Sequence, residues 1–187
     1  MTQMPHTRPV LLGCSAVLGL ATIAVLVVIA LVAFLDSGAD SGRMVLEQAA
    51  AYAPGSAEFV GSREFYLVRV KGGDFHALAN LDAANRASQG RRCPVAPLAA
   101  NDPDYAGLLA QYRSRMSPQA EGGTLLFREA CHRAVYDAAG VRLDTDGPNL
   151  DRYPVTVRGD GRVVVDVSAR SCSRREGTSL LASAPCP

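Results

Sequence analysis

The longest apolar segment of the chain covers residues 10–35, which are 26 positions without a charged side chain. A helix of that length would measure about 39 Å, more than the ~30 Å hydrocarbon core of a bilayer. Signal peptides have shorter apolar cores of about 7–15 residues, so the pattern predicts an uncleaved transmembrane helix. Arg8 precedes the segment, whereas Asp36 and Asp40 follow it. This distribution favours a cytoplasmic N-terminus, residues 1–9, and an extracytoplasmic domain at the cell membrane.

After the apolar segment, residues 36–62 read as a juxtamembrane helix and a linker. Within them, 41–53 begin with a Ser that can cap a helix, contain good helix formers and end at Pro54-Gly55. These features are typical of a short helix.

The pattern then changes to that of β-strands. Segments 64–70 and 75–79 are rich in β-branched and aromatic residues and flank a glycine-containing turn, which predicts a hairpin. A second hairpin is predicted from the alternation in 153–157 and 162–167, and 141–143 are expected to add a short strand.

Two further segments are less regular. Residues 81–137 are loop-like, with one expected helix at 105–116 that ends near Pro118. Residues 169–187 read as a Ser- and Arg-rich C-terminal tail. The pattern therefore predicts a mainly β domain at 63–168, with 81–137 as an inserted subdomain.

Charge and composition exclude several classes of function. The chain has 19 basic and 18 acidic residues, so no basic surplus indicates binding to nucleic acid or anionic lipid. Only three histidines are present. No Ser–His–Asp set, phosphate-binding loop, pair of catalytic carboxylates or zinc-finger spacing is recognisable.

The cysteines indicate disulfide bonds. Cys14 lies in the apolar segment, and the other four are Cys93, Cys131, Cys172 and Cys186. Cysteines of an exterior domain are usually paired, and four allow three pairings. Position in the sequence favours Cys93 with Cys131 and Cys172 with Cys186. Loop entropy predicts stabilisation of about 4 and about 3 kcal/mol, respectively.

Several short motifs occur in an order that resembles a known family. They are His76-Ala77-Leu78-Ala79, Cys93-Pro94-Val95, Cys131-His132, Val135-Tyr136-Asp137, Gly140, Gly147-Pro148 and Leu150-Asp151-Arg152-Tyr153-Pro154-Val155. With the N-terminal anchor, this order resembles the Rieske iron–sulfur proteins, in particular the membrane-anchored subunits of cytochrome bc-type quinol oxidoreductases. The resemblance covers roughly residues 65–167. It implies an antiparallel β-sandwich with an inserted cluster-binding subdomain.

The family holds a 2Fe–2S cluster with two loops, Cys-x-His-x-x-Cys and Cys-x-Cys-His. The first Cys of each loop and both His residues bind iron, while the remaining two Cys form a disulfide. The imidazole ligands raise the reduction potential towards the range needed for quinol oxidation.

Matched to those loops, this sequence keeps the disulfide and loses most of the ligands. Cys93 and Cys131 occupy the disulfide positions, and His132 occupies one ligand position. The other three ligand positions hold Ser88, Gly90 and Glu129. The resemblance therefore implies a degenerate site without a cofactor or metal, in which His132 is the remaining candidate metal ligand.

Two neighbouring features complete this interpretation. We expect Glu129 to pair with Arg91 or Arg92, because a carboxylate at the former cluster position would otherwise be poorly solvated. We expect His76 to be a partly exposed strand residue.

The resemblance implies a membrane-anchored, cluster-free Rieske-like domain that is a structural or assembly component of a membrane electron-transfer complex, respiratory or photosynthetic. We expect no enzymatic activity of the chain by itself. One alternative is a working 2Fe–2S carrier of a quinol–cytochrome c reductase-type complex, which would need His76 as a ligand beside Cys93, Cys131 and His132. A second alternative is a thiol–disulfide switch in which His132 activates the neighbouring thiol.

Overall fold

The computed structural model describes residues 25–29, 42–87 and 92–186. The chain divides into two compact units, residues 1–41 and residues 42–187. Residues 25–29 are helical, and the rest of the predicted transmembrane segment lies outside the described residues, as do residues 1–9 and Cys14. Among the described residues, none of the helices has the length and apolar character needed to cross a bilayer.

The second unit is mainly β, with several antiparallel sheets. Its strands are β1 (Arg43–Gln48), β2 (Ser56–Val60), β3 (Phe65–Arg69), β4 (Phe75–Ala79), β5 (Val95–Pro97), β6 (Leu126–Glu129), β7 (Val135–Asp137), β8 (Gly147–Pro148), β9 (Arg152–Tyr153), β10 (Val155–Val157), β11 (Arg162–Asp166), β12 (Ser173–Glu176) and β13 (Ser179–Ser183). Its α-helices are Ala83–Ala87 and Tyr105–Tyr112, and its 3₁₀ turns are Ala49–Ala51 and Arg113–Arg115.

The first sheet has the order β1-β11-β10 and corrects one prediction. Residues 43–48, predicted to be helical, form an edge strand, and only Ala49–Ala51 make a 3₁₀ turn. The strand pairs Arg43 with Asp166 and Val45 with Val164. Its inward residues, Met44 and Leu46, pack in the apolar cluster of the β11 residues Val163 and Val165. Pairing with β11 and this burial outweigh the local helix propensity.

The second sheet has the order β2-β3-β4-β9 and confirms the first predicted hairpin. Strand β2 lies in the segment expected to be a linker, and it pairs with β3 from Ser56↔Arg69 to Val60↔Phe65. Strand β3 is buried on both faces: Leu67 packs with Val163 and Val165, and Val68 packs with residues of the third sheet. Burial on both faces explains the nearly continuous apolar run at 65–70.

The third sheet, β5-β6-β7, is built entirely from the inserted segment. The segment expected to be loop-like therefore contains three short strands. The helix predicted at 105–116 is present as Tyr105–Tyr112 followed by the 3₁₀ turn Arg113–Arg115. Phe127 and Tyr136 of this sheet belong to one apolar cluster with Leu78 of the second sheet. The inserted segment is thus packed onto the β domain.

The C-terminal segment forms a fourth sheet, β13-β12-β8, where the sequence predicted a tail. Arg175 in β12 is buried and donates from Nη1 to the carbonyl oxygens of Arg115, at 2.9 Å, and Arg142, at 2.8 Å. Asn149 donates to the Leu180 carbonyl at 2.8 Å. These bonds attach the hairpin to the rest of the unit. The second predicted hairpin is confirmed as β10–β11, while 141–143 contribute an isolated bridge, Tyr136↔Arg142.

Candidate functional site

A disulfide joins two segments at the end of the third sheet. Cys93 precedes β5 and Cys131 follows β6, and their Cα atoms are 5.7 Å apart. The antiparallel pairing of Val95 with Glu129 brings the two segments together. Cys93 is 2% exposed, whereas Cys131 is exposed. The bond has the partners that the sequence favoured, and Cys131 is its exposed residue.

The carboxylate of Glu129 lies beside this disulfide and is completely buried. Its Oε1 accepts hydrogen bonds from the Cys131 backbone N–H at 2.9 Å and from Asn85 Nδ2 at 3.3 Å. Its Oε2 accepts a bond from the His132 backbone N–H at 2.5 Å. Hydrogen bonds to charged acceptors are stronger than bonds between neutral groups, so Glu129 fixes the turn that follows β6.

The predicted pairing of Glu129 with an arginine is wrong for Arg92. Arg92 instead lies 3.5 Å from Glu64, and both side chains are largely exposed. Arg91 lies outside the described residues. Glu129 obtains its polar partners from backbone N–H groups and an amide, which satisfy a buried carboxylate without the desolvation of a second charge.

A chain of buried polar groups continues from Glu129 into the domain. Asn85 donates to Asp82 Oδ1 from its backbone N–H at 2.8 Å and from Nδ2 at 2.9 Å. Tyr136 donates its hydroxyl to Asp82 Oδ2 at 3.2 Å. Burial, followed by the negative charge of Asp82, raises the pKa of Tyr136 above its usual range and keeps the phenol neutral. The network ties helix Ala83–Ala87, β6 and β7 together.

The sequence analysis missed Asp82 and Asn85. One signal was readable, because an Asp three residues before an Asn, at the start of a short helix, is a typical N-cap arrangement. The contact from Asn85 to Glu129 was not readable, since it joins residues separated by 44 positions.

His132 presents its imidazole to solvent. The side chain is 76% exposed, and its Nδ1 lies 3.4 Å from Glu129 Oε2. The next residue, Arg133, has φ +61°, a left-handed conformation that reverses the chain. The turn is closed by the bond from Glu129 N–H to the Ala134 carbonyl at 2.9 Å.

His76 lies in a different part of the domain. It is a half-buried residue of β4 and lines a groove with Arg152 and Tyr153. Its Nε2 is buried without a hydrogen-bond partner among the described residues. Burial, with a smaller contribution from the nearby Arg152 charge, lowers the pKa of His76. The position agrees with the expected partly exposed strand residue.

The side chains present do not fit the family's cluster. Cys93 and Cys131 are bonded to each other, and Glu129 offers a carboxylate where such a cluster needs a thiolate. Of the described histidines, His132 lies at this site and His76 lines the groove on β4. Such a centre needs two thiolates and two imidazoles. Ser88 and Gly90, which the resemblance places at two other ligand positions, lie outside the described residues.

The second disulfide closes the C-terminal sheet. Cys172 and Cys186 have Cα atoms 5.2 Å apart, and Cys186 is exposed. The buried carboxylate of Asp151 lies near both sulfurs but is also paired with Arg86 and, at 3.4 Å, with Arg170. Two arginines therefore neutralise this carboxylate.

Comparisons with known proteins give one limited likeness. No model of a protein family matches the chain, and no curated protein matches it. Among solved structures, a chain assigned as the small subunit of an NADH-dependent nitrite reductase from Mycobacterium tuberculosis is 17% identical. The alignment covers 73% of this chain and 96% of the other, with a TM-score of 0.35. That score is too low to support a functional argument.

Proposed function

We propose that the chain is a membrane-tethered, Rieske-like scaffold domain without an iron–sulfur cluster, and that it serves as a structural or assembly component of a membrane electron-transfer complex. The observation that carries this proposal is the buried Glu129 carboxylate beside the Cys93–Cys131 disulfide. The order of the motifs along residues 65–167 supports the Rieske-like interpretation.

Hydrogen bonds of Glu129 and the Cys93–Cys131 disulfide stabilise the site without a bound group. Glu129 accepts bonds from two backbone N–H groups of the second loop and from Asn85. The disulfide joins residues 38 positions apart, a closure worth about 4 kcal/mol by loop entropy. In this proposal the disulfide and the contacts of Glu129 hold the two loops together without a cluster.

The proposed location follows from the sequence and from the disulfides. The apolar segment 10–35 is long enough for a transmembrane helix, and the flanking charges favour a cytoplasmic N-terminus. Disulfides persist in oxidising compartments. Two of them in the domain, Cys93–Cys131 and Cys172–Cys186, support an extracytoplasmic position.

The partner and the role can be tested in the organism of origin. We expect deletion of the chain to lower the amount of an assembled haem-containing membrane complex, measured by native gels of detergent extracts and by haem difference spectra. Reintroduced full-length chain should restore the complex.

The variant His132→Ala separates the scaffold from a cluster carrier. The exposed imidazole has no structural task in the scaffold, so this variant should restore the complex and its quinol oxidation as fully as the unmodified chain. Loss of quinol oxidation in His132→Ala, with normal assembly, would favour the cluster carrier. An unchanged amount of complex after deletion would contradict the assembly role.

A further inference from the structure

Four side chains beside the first disulfide carry atoms that can bind a metal ion: Cys93, Cys131, Glu129 and His132. The Cys93 and Cys131 sulfurs and a Glu129 carboxylate oxygen all lie within 4.8 Å of one another. His132 Nδ1 is 3.4 Å from Glu129 Oε2. In the oxidised chain both sulfurs are bonded to each other, so they are not available as thiolate ligands.

We propose that reduction of the Cys93–Cys131 disulfide creates a Zn²⁺ site formed by Cys93, Cys131, Glu129 and His132. The site is a redox-gated metal centre, absent in the oxidised chain. The inference goes beyond the proposed scaffold function and depends only on the geometry of these four residues.

One of the separations already matches a tetrahedral zinc site. Bonds of ~2.3 Å to sulfur and ~2.0–2.2 Å to nitrogen or oxygen place neighbouring ligand atoms about 3.3–3.8 Å apart. The separation of His132 Nδ1 from Glu129 Oε2 already has that value, 3.4 Å. The two sulfurs must separate after reduction, and the 76% exposed imidazole is free to turn towards them.

The chemistry of the ligands also suits this ion. Thiolate, imidazole and carboxylate are the three ligand types of protein zinc sites. A carboxylate offers about four lone-pair positions. The Glu129 carboxylate accepts three hydrogen bonds in the structure, which leaves about one lone-pair position for a cation.

The redox step balances with a dithiol as reductant. A thiolate of the dithiol attacks the sulfur of Cys131, the exposed residue of the pair, and the buried Cys93 sulfur leaves as a thiolate. The second thiol of the reductant then resolves the mixed disulfide, which yields an oxidised dithiol and two cysteine thiols. Binding of Zn²⁺ releases the two thiol protons as the thiolates become ligands.

Metal titration of the full-length chain tests the proposal. The chain carries Cys172→Ser and Cys186→Ser, so that the other disulfide contributes no thiols. The chain is reduced with excess dithiol, and the dithiol is then removed under anaerobic conditions. The reduced chain is titrated first with Co²⁺ and then with Zn²⁺. We expect one ion per chain, with the visible absorption of tetrahedral, thiolate-ligated Co²⁺, displaced by Zn²⁺. The oxidised chain should bind neither ion.

The variants identify the ligands. His132→Ala should weaken Zn²⁺ binding at least tenfold, in line with the 10–100-fold effects of groups that merely support ligands, and should alter the Co²⁺ spectrum. His76→Gln, which removes an imidazole on β4, should change neither. The proposal is overturned if the reduced chain binds no metal, if the oxidised chain binds equally well, or if His132→Ala leaves affinity and spectrum unchanged. None of these results bears on assembly of a membrane complex.

Discussion

The two disulfides close regions of different construction. Cys93–Cys131 joins segments 38 residues apart, beside the buried carboxylate of Glu129 and its hydrogen-bonded partners. Cys172–Cys186 spans 14 residues around a hairpin whose strands already pair with each other. In the first region the disulfide and the polar network stabilise the same turn. In the second region the backbone hydrogen bonds between β12 and β13 already hold the two strands together. We therefore expect the Cys93–Cys131 disulfide to contribute more to stability than the Cys172–Cys186 disulfide.

Removal of each disulfide should give the largest effects and should rank the two regions. We expect Cys93→Ala with Cys131→Ala to lower the free energy of unfolding by about 4 kcal/mol, and Cys172→Ala with Cys186→Ala to lower it by about 3 kcal/mol. Urea unfolding of the two double variants measures both values. A larger loss in the C-terminal pair would contradict the comparison.

The polar network of the first region should give the next largest effect. Glu129→Ala leaves the N–H groups of Cys131 and His132 without this acceptor and removes one of the two acceptors of the Asn85 amide, which keeps its bond to Asp82. At about 1 kcal/mol for each lost bond, we expect a destabilisation of about 3 kcal/mol in urea unfolding. The matched control is Glu58→Ala on the exposed face of β2, which should change stability by no more than about 0.5 kcal/mol. Equal effects of the two substitutions would show that Glu129 does not fix the turn.

Tyr136→Phe tests the inner end of the network. Loss of the hydroxyl bond to Asp82 should cost about 1 kcal/mol at neutral pH. The variant should also change the pH dependence. Because the folded-state pKa of Tyr136 is raised, its stabilisation is complete below the unfolded pKa of about 10 and is lost as the pH rises above that value.

Free energies of unfolding measured between pH 8 and pH 10.5 test whether stability falls with rising pH because of Tyr136. The unmodified chain should lose more stability over this interval than Tyr136→Phe does. Parallel curves for the two proteins would contradict the account of the buried phenol.

The smallest effect is expected at His132. Its backbone N–H binds Glu129, but its imidazole is 76% exposed. In the oxidised chain, His132→Ala should therefore change the unfolding free energy by less than about 0.5 kcal/mol. A loss above 1 kcal/mol in urea unfolding would give the side chain a structural role that the contacts do not indicate.

The hairpins of the second and first sheets could be predicted because alternation and turn residues are local signals. The strand at Arg43–Gln48 could not, since its alanine-rich neighbourhood favours a helix and the deciding partner, β11, is more than a hundred residues away. Strand β12 was missed because its buried residue is Arg175, which carries no apolar signal and obtains its acceptors from Arg115 and Arg142.

In the candidate site, too, some features could be predicted from the sequence and others depend on residues that are distant in it. The resemblance to the Rieske loops identified Cys93, Cys131 and Glu129 as a set, and the structure places their side chains together. The partner of Glu129 was predicted among the arginines next to Cys93, yet Arg92 lies beside Glu64 and Glu129 binds Asn85. Which donor satisfies a buried acceptor depends on tertiary packing, and the sequence alone does not specify it.

Iron analysis of the full-length chain, purified from its own membranes without added reductant, tests the central claim most directly. Metal content by mass spectrometry is combined with low-temperature EPR after addition of ascorbate. We expect no stoichiometric iron and no EPR signal with the low average g value of the Rieske family. Two irons per chain together with that signal would show a 2Fe–2S cluster and would contradict a scaffold closed by Glu129 and the Cys93–Cys131 disulfide.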